Sequence, residues 1–324
     1  MKMIKWGVLS TAEIAQKLTI PAMIRANNAE LYAIASASGN AREVAEKFHI
    51  PHVFDSYEAL LADPEIDAVY IPLPNHIHKE WTIKAANQGK HILCEKPSSL
   101  NPKDTEEMVQ VCKENGVHFS ETFIYQYHPQ NKRVKEVIQT GEIGNIRHVH
   151  ANCSFFLEGK ENNFRLNRQE GGGSLYDVGV YCIHTIRSIL EADPIHVTGT
   201  ADLNEQQVDM AAQMTLHFKN GVKGTFVCGM NMAKHMAYEV IGSDGVIQIP
   251  RAYQPDAYGG IGLMRVLLND GTHREEYIRG DDQKLAIEHF GRCVLYDETP
   301  TYPAADSIAN MKTLASCFSA IKRV

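Results

Sequence analysis

The chain has 324 residues, 44% hydrophobic and 22% charged, with a formal net charge of −7. That length predicts two domains, and the acidic balance excludes nucleic acid or an anionic membrane surface as the main partner. No apolar run is long enough to cross a bilayer and no apolar leader follows Met1. Seven scattered cysteines without a C-x-x-C pair fit the reduced thiols of a cytoplasmic protein.

In chain order, the first third alternates β-rich runs with helical patterns. Met3–Leu9 predicts a strand and Glu13–Ala26 a helix. Leu31–Ser36, Asp67–Ile71, His91–Cys94 and Val117–Glu121 predict further strands. Helices are expected near Asn40–Phe48, Ser56–Leu61, His76–Asn87 and Lys103–Asn115. Gly89 and Gly116 stand just past the last two, where a left-handed cap is wanted. The alternation predicts an α/β fold: a Rossmann-type, doubly wound parallel sheet over residues 1–122.

Residues 123–324 have a different texture. A helix near Asn131–Thr140 precedes a long strand, Ile146–Phe156, and a helix over Ser174–Leu190. Strand-like runs follow at Ile195–Ala201, Met210–Phe218, Val222–Met230, Met236–Ile241, Val246–Ile249, Leu263–Leu268 and His273–Ile278. Asn220-Gly221, Asp244-Gly245 and Asp270-Gly271 read as hairpin turns. Helical patterns at Gln283–Leu295 and Ala304–Ile321 close the chain. This predicts a C-terminal α+β domain for substrate binding and oligomerisation, with a large, mainly antiparallel sheet. A sheet covered on one side would expose an apolar face, so a homodimer or homotetramer through it is expected.

Several segments carry candidate chemistry. Gly7–Ala15 lies between the first strand and first helix, where a dinucleotide fold places its phosphate turn. The fingerprint glycines would fall at Ser10, Ala12 and Ala15, all small residues; Ser10, Thr11, Ala12 and Ile14 are therefore candidate cofactor contacts. After the second strand the chain reads Ala35-Ser36-Ala37-Ser38-Gly39-Asn40-Ala41-Arg42, with no acid until Glu43. A carboxylate would repel a 2′-phosphate, whereas Ser36, Ser38 and Arg42 would bind one, so NADP(H) is preferred and NAD(H) remains possible. The alternative is a capped helix start with Arg42 solvated. Pro72, Leu73, Asn75 and His78 belong to the turn after the Asp67–Ile71 strand. His76 and His78 do not converge at i,i+2, so no metal site is expected. Glu95-Lys96-Pro97 aims a lysine at the carboxyl edge of the sheet, and the proline ends the strand.

In the second half, Gly171-Gly172-Gly173 opens the Ser174–Leu190 helix, where Asp177, Tyr181 and His184 recur at i, i+4 and i+7. An acid, a phenol and an imidazole on one face are costly unless bonded or functional. The alternative is a satisfied polar patch.

With these residues the chain resembles the Gfo/Idh/MocA group of oxidoreductases over nearly its whole length. The marks are E-K-P, the P-N-x-x-H at Pro74–His78 and the G-G-G-x-L-x-D-x-G before a helix. Tyr181, four residues after Asp177, is similar to the branch of dihydrodiol dehydrogenases, aldose (xylose) dehydrogenases and glucose–fructose oxidoreductase. Glu121–Gln130 is similar to that branch's E-A-F-M-Y-R-F-H-P-Q, with Gln126 where arginine is usual. The resemblance implies hydride transfer between nicotinamide and a CH–OH group of an aldose, related sugar or trans-dihydrodiol. It implies that Lys96 and Tyr181 handle the hydroxyl proton, that Asp177 orients the substrate or Lys96, and that Glu95 lies near the ribose and nicotinamide. It also implies a cis peptide between Lys96 and Pro97. Tyr125, Phe155, Phe156 and Arg165 are expected pocket walls, with His184 behind them. A non-catalytic dinucleotide or sugar sensor and an NAD-dependent glycosidase are the rival readings.

Overall fold

The structure, a computed structural model, describes residues 2–159 and 163–323. The chain divides into two compact units, Met1–Ile124 with Gln283–Ile308, and Tyr125–Asp282 with Ala309–Val324. The single expected cut at 122 does not contain this return of residues 283–308 to the first unit.

The first unit is built on six parallel strands: β1 (Ile4–Leu9), β2 (Ala29–Ala35), β3 (His52–Phe54), β4 (Ala68–Ile71), β5 (His91–Cys94) and β6 (Phe119–Glu121). Their order is β3-β2-β1-β4-β5-β6. β4 is buried at every position, as expected of a central parallel strand covered on both faces. β3 is a short, largely exposed edge strand, so it carries no period-two signal and the sequence does not reveal it. A π turn (Ala15–Thr19) leads into α1 (Ile20–Arg25); α2 (Ala41–Phe48), α3 (Tyr57–Ala62), α4 (His78–Asn87) and α5 (Pro102–Glu114) follow. On one face Trp6, Val8 and Ile34 pack with Met23, Val44 and Phe290. The Trp6 and Phe290 rings lie 5.1 Å apart, which explains why the late helix Asp282–Tyr296 belongs largely here. On the other face Val69, Ile71 and Ile92 pack with Leu60, Trp81 and Met108. Gly7 serves this packing, because a Cβ there would lie 2.6 Å from Leu60 Cδ2.

The strand order reverses between β1 and β4, the position where open α/β sheets bind ligands at their carboxyl edge. Parallel pairing therefore puts Ser10–Thr11, Ser36–Ser38, Pro72–Asn75, Glu95–Lys96 and Thr122 at one edge.

The second unit is a nine-stranded sheet. Its strands are β7 (Ile146–Phe156), β8 (His196–Leu203), β9 (Asp209–His217), β10 (Lys223–Gly229), β11 (Asn231–Gly242), β12 (Gly245–Ile249), β13 (Ile261–Leu268), β14 (His273–Arg279) and β15 (Ile321–Arg323). The order is β14-β13-β12-β11-β7-β10-β9-β8-β15. Pairing is mainly antiparallel, but β7 with β10 and β8 with β15 are parallel. Ile321, expected in a helix, opens β15 instead. α6 (Pro129–Gln139) and α7 (Val180–Leu190) pack on the sheet. Gly224 lets α7 approach, since a Cβ there would meet Ile186 Cγ2 at 2.3 Å.

The opposite face corrects one expectation. Along β7, Val149, Ala151 and Cys153 are buried, while His148, His150 and Asn152 alternate with them. His148 Nε2 and His150 Nδ1 each lie 2.8 Å from Thr225 Oγ1, and Gln248 donates to Glu239 at 2.7 Å. The face is mixed: by register Ile241, Val246 and Leu267 share a row with His148, and Val227 pairs with Asn152, so hydrogen-bonded polar groups and partly exposed apolar side chains stand side by side where a uniformly apolar surface was expected. The hairpins are corrected at one place as well. Gly221 and Gly271 take φ of +83° and +88° at their turns, but Gly245 belongs to β12 and the reversal falls at Ser243-Asp244. Gly245 is required by packing: a Cβ would lie 2.6 Å from Leu268 Cδ2 and 2.7 Å from Leu267 O. Gly245→Ala should lower stability by about 1–3 kcal/mol, read as a fall in the urea midpoint. An unchanged midpoint would contradict close β12–β13 packing.

Candidate active site

At the carboxyl edge of the first unit's sheet, Ser10 takes φ +140°, a backbone region that normally favours glycine. Its Oγ accepts from the Ala12 N–H at 3.0 Å. The first fingerprint position thus keeps the unusual backbone of a phosphate turn without the glycine. Ala12 is half-buried, and Ile14 is exposed on the helix that follows.

The end of β2 has a more specific arrangement. Thr11 Oγ1, Ser36 Oγ and Ser38 Oγ donate to Asn40 Oδ1 at 2.6, 3.1 and 2.6 Å. Asn40 occupies the N-cap of α2 but makes no side-chain cap bond, so the helix-capping alternative does not describe it. One amide oxygen has two lone pairs, and here it faces a convergent set of hydroxyls that a phosphate would satisfy better. Arg42 is exposed on the first turn of the same helix. The residues present fit a 2′-phosphorylated dinucleotide: hydroxyls and a guanidinium, with no carboxylate in the segment.

Next along the edge, the Lys96–Pro97 peptide is cis. Glu95 Oε1 accepts from Tyr70 OH at 2.7 Å, and Oε2 accepts from Thr122 Oγ1 at 2.7 Å and the Lys96 N–H at 3.3 Å. Thr122 Oγ1 lies 3.2 Å from the same N–H. On the other side of the proline, the Ser98 N–H donates to Glu121 Oε1 at 2.8 Å. Burial pushes the Glu121 carboxyl up to about 7, helped by the neighbouring Glu95 charge. Thr122 and Glu121 thus hold the turn around Lys96–Pro97, and they were visible in the sequence only as part of a motif.

His78, a candidate cofactor contact, also bridges two turns. Its ring is fully buried, with Nδ1 2.8 Å from Pro97 O and Nε2 2.7 Å from Leu73 O. Its ring lies between the Pro72–Asn75 turn and the Lys96–Pro97 turn, and the single N–H of the neutral imidazole donates to one of the two carbonyls. Pro72, Leu73 and Asn75 are themselves buried in that turn.

In the second unit, Asp177 lies in a π turn (Leu175–Gly179) that precedes α7, a deviation often found at functional sites. Asp177 Oδ2 accepts from Arg165 Nε at 2.6 Å. The Arg165 guanidinium stands over the Phe164 and Phe155 rings, 4.6 and 5.9 Å from their centroids. The glycines before the turn fit here for steric reasons: a Cβ on Gly172 would lie 2.5 Å from Arg165 O. Phe156 is exposed.

Tyr181 packs between two other tyrosines, with centroids 5.9 Å from Tyr125 and 5.4 Å from Tyr253. Tyr125 OH lies 2.5 Å from His184 Nδ1 and 2.8 Å from Thr185 Oγ1, and Thr185 donates to Tyr253 OH at 3.1 Å. Tyr125 and His184 are both buried, and burial drives the imidazole down to about 3. Tyr125 packs against the Tyr181 ring, and His184 lies behind it, bonded to the Tyr125 hydroxyl. Asp177 sits in the π turn and pairs with Arg165, while Tyr181 and His184 stand on α7.

Comparison with known proteins supports this reading. The GFO/IDH/MocA oxidoreductase model with its NAD-binding Rossmann fold matches residues 4–123, and the family's C-terminal domain matches residues 131–248. The chain is 33% identical over 316 residues to a D-xylose 1-dehydrogenase (NADP(+)) of Haloferax volcanii, covering 97% of this chain and 96% of that one. It is 28% identical over 322 residues to a trans-1,2-dihydrobenzene-1,2-diol dehydrogenase of Mus musculus, covering 94% and 92%. Among solved structures, a 3-ketoreductase of Actinomadura kijaniata in complex with NADP and TDP-benzene superposes with a TM-score of 0.92 at 28% identity, covering 100% of this chain and 99% of that one. With both domain models matched and relatives similar along almost their full length, the chain belongs to the GFO/IDH/MocA family of NAD(P)-dependent oxidoreductases.

Proposed function

We propose that this protein is an NADP(H)-dependent dehydrogenase acting on a CH–OH group of an aldose, a related sugar or a trans-dihydrodiol. The observation that carries the cofactor choice is the hydroxyl cluster of Thr11, Ser36 and Ser38 around Asn40, in a segment without a carboxylate. Those hydroxyls and Arg42 would hold the 2′-phosphate, and the Ser10–Ala12 turn with Ile14 would lie along the rest of the dinucleotide. When bound, NADP(H) supplies the hydride acceptor or donor at its nicotinamide ring.

The protein's own task is the proton. As the substrate C–H bond breaks, the hydroxyl proton must leave; in reduction, a proton must reach the carbonyl oxygen. Lys96 and Tyr181 are assigned that exchange, one as the direct acid or base and the other tuning it. Lys96 has its backbone fixed by Thr122 and Glu95, and the Tyr181 ring is held by Tyr125 and Tyr253. Asp177, already paired with Arg165, is assigned to orienting a substrate hydroxyl, with Arg165 and Phe155 beside it.

A second reading rests on the likeness to the 3-ketoreductase crystallised with NADP and TDP-benzene: reduction of a keto group on a nucleotide-linked sugar. A screen of aldoses, inositols, dihydrodiols and nucleotide-linked keto sugars with both cofactors separates the two. Tight NADP(H) binding with no turnover on any of them would favour a sensor instead. Association as a homodimer or homotetramer and a cytoplasmic location are part of this proposal; among the described residues no helix is long and apolar enough to cross a membrane.

Lys96→Met should lower turnover by at least about 100-fold while NADPH binding, followed by fluorescence, is preserved; an unchanged kcat would end the assignment. Arg42→Ala should raise KM for NADP(H) about 10-fold with little change for NAD(H). Equal effects on both would remove the 2′-phosphate role.

A further inference from the structure

Asp209, at the start of β9, is 3% exposed and points at the beginning of the segment that carries Asp177 and Tyr181. Its Oδ2 accepts from Ser174 Oγ at 2.8 Å and from the Leu175 N–H at 2.7 Å. Its Oδ1 lies against Gly173, where an added Cβ would come within 2.1 Å. The third glycine of the triplet is therefore the space that this carboxyl occupies. A carboxylate at the first turn of a helix also gains from the helix dipole and from charge-assisted donors. The Gly172 and Gly173 N–H groups are tied in turn to Asn167 O and Arg165 O, at 2.8 and 3.0 Å. One buried acid thus sets the start of the π turn and, through it, the strand of chain that holds Arg165 against Asp177.

We propose that Asp209 is a positioning residue whose negative charge fixes the Leu175–Gly179 turn, and hence Asp177 and Tyr181, in the arrangement that turnover requires. This inference rests on the proposed roles of Asp177 and Tyr181. Burial pushes the Asp209 carboxyl up to about 6, and the titratable groups facing it are Tyr176 on the turn and Cys228 on β10. Activity should then fall on the acid side with a midpoint near that value. Because the folded-state pKa is raised, Asp209's own contribution to folding stability is present below the unfolded value and lost as pH rises through the folded one. The acid loss of activity therefore runs opposite to any stability change from this group, which separates positioning from mere folding.

The test uses the full chain. Asp209→Asn keeps the shape and removes the charge. It should lower kcat about 10- to 100-fold at pH 8, leave the NADP(H) dissociation constant near the wild-type value, and abolish the acid limb of the kcat profile. Ser174→Ala removes one donor to the carboxylate and should move the acid midpoint upward. Independently of turnover, hydrogen exchange of the Ser174–Asp177 amides in cofactor-free protein, corrected for intrinsic rates, should show protection that falls below about pH 6 in the wild type and is pH-independent in Asp209→Asn. Wild-type kcat and pH profile in Asp209→Asn, or an unmoved midpoint in Ser174→Ala, would overturn the inference. If the wild type turns over nothing while the exchange result holds, the functional reading fails and the structural role of Asp209 stands.

Discussion

The chemistry of the first unit depends on how one carboxylate is used. Glu95 collects Tyr70 from β4, Thr122 from beyond β6 and the N–H of its own neighbour, Lys96. Donors from separate segments that converge on one acceptor fix a turn more firmly than any one of them alone, because each limits the freedom of the others. His78 adds a second tie through Pro97 O, and Glu121 a third through the Ser98 N–H. The result is a lysine whose backbone is held from both sides at the ligand-binding edge of a parallel sheet. A side chain that must meet a reacting hydroxyl repeatedly and in one geometry needs such support.

The second unit solves the same problem with different means. Around Tyr181 the support is aromatic packing and a closed hydrogen-bond chain from His184 through Tyr125 and Thr185 to Tyr253. Burial keeps the imidazole neutral at ordinary pH, so this chain adds no charge to the interior and leaves the phenols to hold position. Around Asp177 the support is ionic: Arg165 on one side, and the acid-anchored start of the π turn on the other. The polar residues that the sequence places on a buried helix are thus satisfied, as burial requires.

Much of this was legible beforehand, for identifiable reasons. The β4 and β5 runs are short, apolar and bounded by turn residues, and the helices that follow each of them stop just before Gly89 and Gly116, both found at positive φ. Lys96, Tyr181 and Asp177 stood out because a lysine before proline and polar groups within an apolar helix break the local pattern. What the sequence hid depends on distance in space. β3 is too exposed and short to show a period. The partners of Tyr125 and His184 lie on segments 59 or more positions apart, so their burial could not be read from spacing. Asp209 stands at the very start of an otherwise ordinary strand, and only its contact with Gly173 and Leu175 gives it meaning. The polar part of the large sheet's outer face was present in the alternation of His148, His150 and Asn152, but its mixture with Ile241, Val246 and Leu267 depends on cross-strand register that the sequence does not show.

The central claim is that Lys96 and Tyr181 act on one hydroxyl, and a double-mutant cycle addresses it most directly. Single-turnover rates would be measured for Lys96→Met, Tyr181→Phe and the double variant with saturating NADP(H). Groups that serve a single proton transfer are strongly non-additive, so the double variant should be scarcely slower than the slower single variant. Rate losses that simply multiply would show two independent roles and contradict the account.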